Sequence, residues 1–416
     1  MLRLAEQIVL ASLAGTESAT RAELSELTDL PRTTVIAATN SLVARGLLEE
    51  ELDPPDGKRA GRPSTRLVLT LGDRRVALVE LGRLGGTTVS IGDCRGNVRG
   101  STTIDVNWSS SIEDVASQVR SALDALTDRP IDAVVLSLPA PFEPGFGIRV
   151  PRVPVRESSE RTGGPGLIAD WLRGDPSPGL AAALGMPVAT ENDANLAALG
   201  EARFGAGRDA GSTVHLSVKS GFGSGITING QLFRGATGMA GEVTHVAIEK
   251  DGRLCMCGNR GCLMTVIADR PLPSDQVSQA YEHPVTMTDV IRLAASNDIG
   301  VHRVLSDYGR LAGEALAGFV ALFVPQQITV DGSLGPASQA VVEGIIETLR
   351  LRVQPTVSSG IIVRAGELEE GAQLMGAVAM LRDRRMRELA RSVWPASARW
   401  VEPAAAKDSA GLAQGL

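Results

Sequence analysis

Three of the chain's four cysteines and one of its four histidines fall in one stretch, Gly241 to Met264, GEVTHVAIEKDGRLCMCGNRGCLM. The order is His245, nine residues, Cys255-Met256-Cys257, four residues, Cys262. A structural zinc ion takes four soft or borderline donors at the corners of a tetrahedron, and three thiolates with one imidazole form a standard set. Cys255 and Cys257 flank a single residue, so a tight turn can aim both sulfurs at one point. Gly258 and Gly261 permit the sharp backbone that brings Cys262 back to it. The alternative is three free thiols in a glycine-rich loop, or a redox pair. Cysteine is otherwise scarce, and three beside a histidine favour metal.

Gly241-Glu242-x-x-His245 followed by CxCGxxGCL closely resembles the signature of the ROK family (repressors, open reading frames and sugar kinases). The segments ATENDANLAALGEARFGAG and SGFGSGITINGQLFRGA also resemble ROK segments, and together the likeness covers most of residues 76 to 385. It implies the actin-like, hexokinase-type fold, with the zinc cluster (His245, Cys255, Cys257, Cys262) beside a sugar site. The ligand-binding residues it implies are Asn192, Asp193, Glu242 and His245. In the family's kinases the aspartate at the position of Asp193 accepts a proton from the sugar hydroxyl. Here Asp193 reads either as that base, now vestigial, or as the N-cap of the next helix. Zinc on one imidazole nitrogen of His245 would leave the other N–H an oriented donor to a sugar oxygen. The family's glutamate after Cys-Leu is replaced by Met264, which offers a sugar no useful hydrogen bond.

The phosphate side departs further. The kinases' Asp-x-Gly-Gly-Thr corresponds to Glu80-Leu81-Gly82-Arg83-Leu84, with Arg83 where backbone N–H groups should face phosphate. Gly85-Gly86-Thr87 comes three residues late and reads as a hairpin turn. Ser220-Gly221-Phe222-Gly223-Ser224-Gly225 keeps its glycines, although a glycine hairpin would look the same. The adenosine-side glycines are reduced to Asp331-Gly332-Ser333. These departures argue against efficient phosphoryl transfer, so the chain is read as a non-enzyme.

Length and composition bound the elements that must position these residues. With 416 residues, 43% hydrophobic, 46 glycines and 3% aromatics, the chain suits an α/β protein of two or three domains. No apolar run reaches membrane-spanning length and no charged-then-apolar leader is present, so a cytoplasmic protein with reduced thiols is expected. RRVALVELG and TTVSIGDCRG read as paired strands, SIEDVASQVRSALDAL as an amphipathic helix and AVVLSLP as a buried strand. NLAALGEARFG reads as a helix, and STVHLSV and GITING as strands about a glycine loop. This order predicts two α/β lobes around a cleft, residues 71–187 and 188–392, with the C-terminal helix returning to the first lobe. Residues 393–416 are rich in Ala, Gly, Ser and Pro and read as a disordered tail.

Residues 1–70 are different. Helical periodicity runs from Leu2 to Leu13, and Thr20 to Glu23 fits a capping box. Pro31 suits the first turn of a further helix that carries RTTVIAATNSLVARG and stops at Gly46. Two strands, LLEEEL and TRLVLT, flank a polar loop, and three helices with such a wing describe a winged helix-turn-helix. The segment holds eight cationic and ten acidic residues, a net of −2, so any DNA binding comes from local placement. Lys58, Arg59, Arg62 and Arg66 fall within nine residues free of acid. Arg32, Thr33 and Thr34 open the third helix, and with Lys58, Arg59 and Arg62 they are the expected DNA contacts. A small dimerisation domain with a solvated basic loop is the alternative. The layout, with Gly61-Arg62-Pro63 in the wing, resembles the N-terminal domain of ROK repressors, which ROK kinases lack. The expected protein is therefore a ROK-type repressor, with zinc as structural cofactor and a sugar or sugar phosphate as effector. An inverted-repeat duplex operator, a homodimer or homotetramer, and no membrane partner complete the reading. An active sugar kinase with an added DNA-binding domain is the second reading, and a lobe pair serving only for dimerisation the third.

Overall fold

The Thr20 hydroxyl accepts the Glu23 N–H at 3.2 Å, and the Glu23 carboxylate takes the Thr20 N–H at 2.8 Å. This reciprocal capping box starts the second helix of the chain. The structure, a computed structural model, describes residues 3–16, 18–52, 65–70, 74–82, 86–94, 96–143, 145–148, 168–218, 222–270 and 273–393. Contacts divide the chain into two compact units, Met1–Gly72 with Arg382–Leu416, and Asp73–Leu381.

In the first unit, α1 (Leu4–Thr16), β1 (Ser18–Thr20), α2 (Arg21–Thr28) and α3 (Arg32–Ala44) precede β2 (Leu48–Leu52) and β3 (Thr65–Leu69). The sheet order is β1-β3-β2, antiparallel throughout. Sequence periodicity does not reveal β1, because three residues are too short to carry a pattern. Val9, Leu13, Leu24, Val35, Leu42, Leu48 and Leu67 are at most 1% exposed and form the core. Asp29 at φ 54° ends α2 in the left-handed region, which aspartate tolerates, and the chain turns at once into α3. Arg21, at the start of α2, holds the unit together, reaching Thr39 at 3.1 Å, Asn40 at 3.0 Å and the Glu50 carboxylate. The loop between β2 and β3, with Lys58, Arg59, Arg62 and the Gly61-Arg62-Pro63 tripeptide, lies outside the described residues. So do residues 394–416 of the expected tail.

In the second unit, β4 (Arg75–Glu80), β5 (Thr87–Asp93) and β6 (Val98–Ile104) fold back on one another. After α4 (Ile112–Leu126), β7 (Ala133–Leu138) adds in parallel beside β4. A small hairpin of β8 (Phe142–Glu143) and β9 (Gly147–Ile148) follows, and α5 (Ser177–Leu184) leads to β10 (Val188–Asn192), parallel to β7. The first sheet therefore reads β10-β7-β4-β5-β6 and takes in residues beyond 187. Helix α6 (Asp193–Phe204) then opens the second lobe: β11 (Ser212–Ser217), β12 (Gly223–Ile228) and β13 (Gln231–Leu232) fold back in the same way. The zinc-type loop, α7 (Leu263–Ala268), α8 (Pro273–Tyr281), α9 (Met287–Ala295) and α10 (Ile299–Phe323) separate these from β14 (Gln327–Val330). Next come α11 (Ser338–Arg352), α12 (Pro355–Ser358), β15 (Ile362–Ala365) and α13 (Ala372–Val393), whose residues from Arg382 onward group with the first unit.

The second sheet reads β13-β12-β11-β14-β15. Both lobes thus share one scheme, a three-stranded meander followed by two parallel additions on the far side of its first strand. Strand β7, AVVLSL, is buried at every position, as a parallel strand covered on both faces must be. The start of α13 packs on the first sheet. Gln373 accepts the Ser137 hydroxyl at 2.7 Å, and Leu374 and Val378 lie over Gly92. Among the described residues no helix is long and apolar enough to cross a membrane.

Candidate functional site

The end of β10 delivers Glu191, Asn192 and Asp193 to the start of α6. Asn192 is the helix cap: its side-chain oxygen accepts the Asn195 N–H at 3.0 Å, and its amide donates to the Ala140 carbonyl at 3.0 Å. The alternative that Asp193 caps the helix is thereby corrected. Two adjacent residues can both cap, and sequence does not separate them; Asn192 has the extended backbone a cap requires, while Asp193 is already helical. Asp193 accepts the N–H of the next residue, Ala194, at 2.8 Å. The bond to Ala140 leaves Asn192 one further amide N–H for any ligand.

Glu191 was not singled out by sequence. It is 1% exposed, and its carboxylate takes Arg234 at 2.8 Å and 2.5 Å, Asn195 at 2.9 Å and the Asn192 N–H at 3.0 Å. Arg234 lies on the segment that leads from β13 to Glu242, so this ion pair braces both halves of the expected ligand site. A buried carboxylate is tolerable here because four N–H groups satisfy it.

Glu242 has a carboxyl pushed up to about 7, by burial first and by the charge of Asp193 second. Asp193 is thus near enough for its charge to be felt at Glu242. The folded chain holds this proton more tightly than the unfolded one, whose value is near 4.5. The resulting stabilisation is full below about 4.5 and is lost as pH rises through about 7. A Glu242→Gln variant should accordingly show a flatter thermal midpoint between about pH 5 and pH 8 than the parent, measured by scanning fluorimetry. Equal slopes would count against the assignment.

One glycine of the second glycine-rich stretch has a packing duty. A Cβ on Gly225 would stand 2.6 Å from the Ala198 Cβ and 2.8 Å from the Ala194 carbonyl, so only glycine lets β12 lie against α6. The Ser224 hydroxyl donates to the Gly241 carbonyl and anchors the residue before Glu242. Ser220 and Gly221 lie outside the described residues, as do Arg83 to Gly85. Around the latter, Thr87 accepts the Gly82 N–H at 3.2 Å and donates to the Val106 carbonyl at 2.7 Å, closing the β4–β5 hairpin. Asp331 accepts the N–H groups of Ser333 at 3.0 Å and Val218 at 3.3 Å, so its carboxylate is turned to the loop itself.

The loop from His245 to Cys262 brings its four expected ligands together. Their donor atoms all lie within 4.8 Å of one another. His245 Nδ1 is 3.5 Å from the Cys255 sulfur, and the Cys257 and Cys262 sulfurs are 3.6 Å apart. Backbone geometry makes this convergence. The Gly258 N–H donates to the Cys255 carbonyl at 3.0 Å, and the Cys255 N–H to Asn259 at 2.7 Å. Gly261, at φ 65°, passes so close to the Glu249 carbonyl that a Cβ would stand 1.7 Å from it. Burial, then the neighbouring cysteines, push the Cys262 thiol up to about 12. Burial also opposes ionisation of Cys257, but hydrogen bonds from Asn259 and its cysteine neighbours outweigh it and lower that thiol. Desolvation keeps the His245 imidazole neutral. A neutral imidazole and crowded thiols are a donor set that a divalent cation satisfies. The cluster could hold a metal ion, with Nδ1 the ligating nitrogen of His245. Met264 follows in the first turn of α7, half-buried.

On the winged helix, Arg32 and Thr33 are exposed and Thr34 is half-buried. Helix α3 starts without a side-chain cap and without an acidic residue in its first turn. Its positive end is therefore uncompensated, a favourable setting for a phosphate. Ile36, Ala37 and Asn40 are exposed on the same helix, and sequence reasoning passed over them because it stopped at the first turn.

A winged helix joined to a duplicated α/β unit with a His/Cys3 loop defines the architecture, and comparison with known proteins places it. The ROK family model matches residues 170–384, and a MarR family model matches residues 3–59. This chain belongs to the ROK family and carries a MarR-type winged helix at its N-terminus. It is 26% identical over 377 residues to the xylose repressor of Bacillus spizizenii, covering 89% of this chain and 93% of that one. It is 28% identical over 318 residues to the glucokinase of Thermotoga maritima, covering 72% of this chain and 96% of the kinase. The fold matches the crystal structure of a ROK family transcriptional regulator homologous to Escherichia coli Mlc, with a TM-score of 0.68 and 23% identity, over 92% of this chain and 98% of that one.

Proposed function

We propose that this chain is a DNA-binding transcriptional repressor that responds to a sugar or sugar derivative through a zinc-braced, kinase-like domain. The observation that carries this reading is where similarity runs. The xylose repressors match along 89% and 91% of the chain, winged helix region included, whereas the glucokinase is matched almost end to end within 72%. Zinc is supported by geometry. Bonds of about 2.3 Å to sulfur and about 2.0 Å to nitrogen in a tetrahedron set sulfurs roughly 3.8 Å apart and nitrogen about 3.5 Å from sulfur. The loop has 3.6 Å and 3.5 Å. Sensing is a population shift: ligand held by Asn192, Asp193, Glu242 and His245 favours one lobe arrangement, which alters the spacing of two winged units in a dimer. Genomic footprinting of the full chain, with sugars then tested for release of the bound DNA, is the deciding experiment. Release by no sugar or sugar phosphate would remove the sensing claim.

A second reading, an active sugar kinase, draws on the release of Asp193 from capping duty. Against it stand Met264, Arg83 and the turned-in carboxylate of Asp331. A coupled assay over hexoses, N-acetylhexosamines and pentoses should show no sugar-dependent ATP turnover. Turnover that vanishes in Asp193→Ala would promote the kinase.

A further inference from the structure

Helix α3 shows solvent an unusual face for a chain read as DNA-binding. Thr33, Ile36, Ala37 and Asn40 lie at i, i+3, i+4 and i+7 and share one side of the helix, and each is exposed. Ile36 is 44% exposed, although the unit's core is complete without it. Thr33 and Ala37 are small enough to let the helix approach a groove floor closely. The polar member is restricted. Asn40 Oδ1 takes the Arg21 guanidinium at 3.0 Å, and Arg21 is held from two other directions by Thr39 and Glu50. A guanidinium has no acceptor, so the oxygen of Asn40 must face it and the NH2 must face out. An asparagine that reads adenine needs both oxygen and nitrogen on the base edge.

Resting on the repressor reading above, we propose that α3 specifies thymine and acceptor edges in the major groove. Ile36 and Ala37 pack on thymine 5-methyl groups, and Asn40 donates to an acceptor (guanine O6, thymine O4 or a purine N7) without the bidentate pairing that singles out adenine. Charge on this face comes from Arg32 alone among the described residues of α3, so sequence preference falls to these uncharged contacts.

The test starts by selecting duplexes from a random pool with the full chain. The selected site is then titrated with each thymine replaced in turn by deoxyuridine, which removes only the methyl. At one or more thymines of each half-site, affinity should fall roughly fourfold, the worth of one buried methyl group. Ile36→Ser and Ile36→Asn, both polar and at an exposed position, should bind the parent site more weakly and distinguish thymine from deoxyuridine less there. Asn40→Ala should lose preference at a base pair whose selected base is not adenine. Tight binding that is indifferent to deoxyuridine at every position overturns the methyl contact while leaving the repressor reading intact. An adenine preference that disappears in Asn40→Ala overturns the donor-only assignment. Failure of the full chain to select any duplex overturns the DNA-binding reading itself.

Discussion

Chelation of the purified protein is expected to release about one zinc ion per chain and, with it, the order of the loop from His245 to Cys262. Backbone hydrogen bonds shape the loop, but few buried apolar side chains hold it. Leu254 and Met256 are exposed, and the buried side chains at its heart are Cys255 and Cys262 themselves. Without a cation, the burial that pushes Cys262 up to about 12 keeps that thiol protonated, and its neighbours repel a further charge. Zinc would replace that proton and be held by the three sulfurs, and such sites contribute on the order of 10 kcal/mol in small zinc domains. A Cys257→Ser, Cys262→Ser double variant should carry almost no zinc by metal analysis. Its second unit should also lose the sugar response, because His245 would no longer be oriented by Nδ1 ligation. Full zinc content in the double variant would mean that the metal sits elsewhere.

Local signals were legible in the residues and long-range ones were not. The capping box of Thr20 and Glu23 and the convergence of His245, Cys255, Cys257 and Cys262 are set by neighbours within one or two turns of chain, so spacing reveals them. Strands β4, β5 and β7 announce themselves through alternation or continuous burial. The Glu191–Arg234 pair joins residues 43 apart, and nothing in either local pattern points to the other. Asn192 and Asp193 are both good capping residues, and only backbone angles decide between them. The glycines of Gly223-Ser224-Gly225 look like a phosphate loop or a hairpin; that Gly225 instead makes room for α6 depends on a helix some thirty residues away in sequence (roughly) meeting the strand. The duplication of sheet order is likewise invisible, because topology leaves no repeat in the residues.

Removing residues 1–70 should abolish specific DNA binding, and the contacts within that unit should separate by the way each fails. A winged helix places the start of its third helix in the major groove, and Arg32 there is exposed on an uncompensated positive helix end. If Arg32 reads a base, Arg32→Ala costs on the order of 1–3 kcal/mol and relaxes preference at that position. Lys58, which lies outside the described residues between β2 and β3, is expected to contribute charge alone. Lys58→Ala should weaken all duplexes about equally and flatten the slope of log affinity against log salt by about one unit. The chain's net charge of −7 sharpens this contrast, since no bulk attraction masks the loss of a single cation. If the chain pairs about a two-fold axis it presents two winged units, and the protected site should then be an inverted repeat with half-sites about one helical turn apart or a multiple of it. Fluorescence titrations at several salt concentrations measure both variants against the same site. If the chain lacking residues 1–70 bound that site as tightly as the full chain, DNA contact would have to be reassigned to the ROK domain, whose sheets and helices offer no winged helix among the described residues.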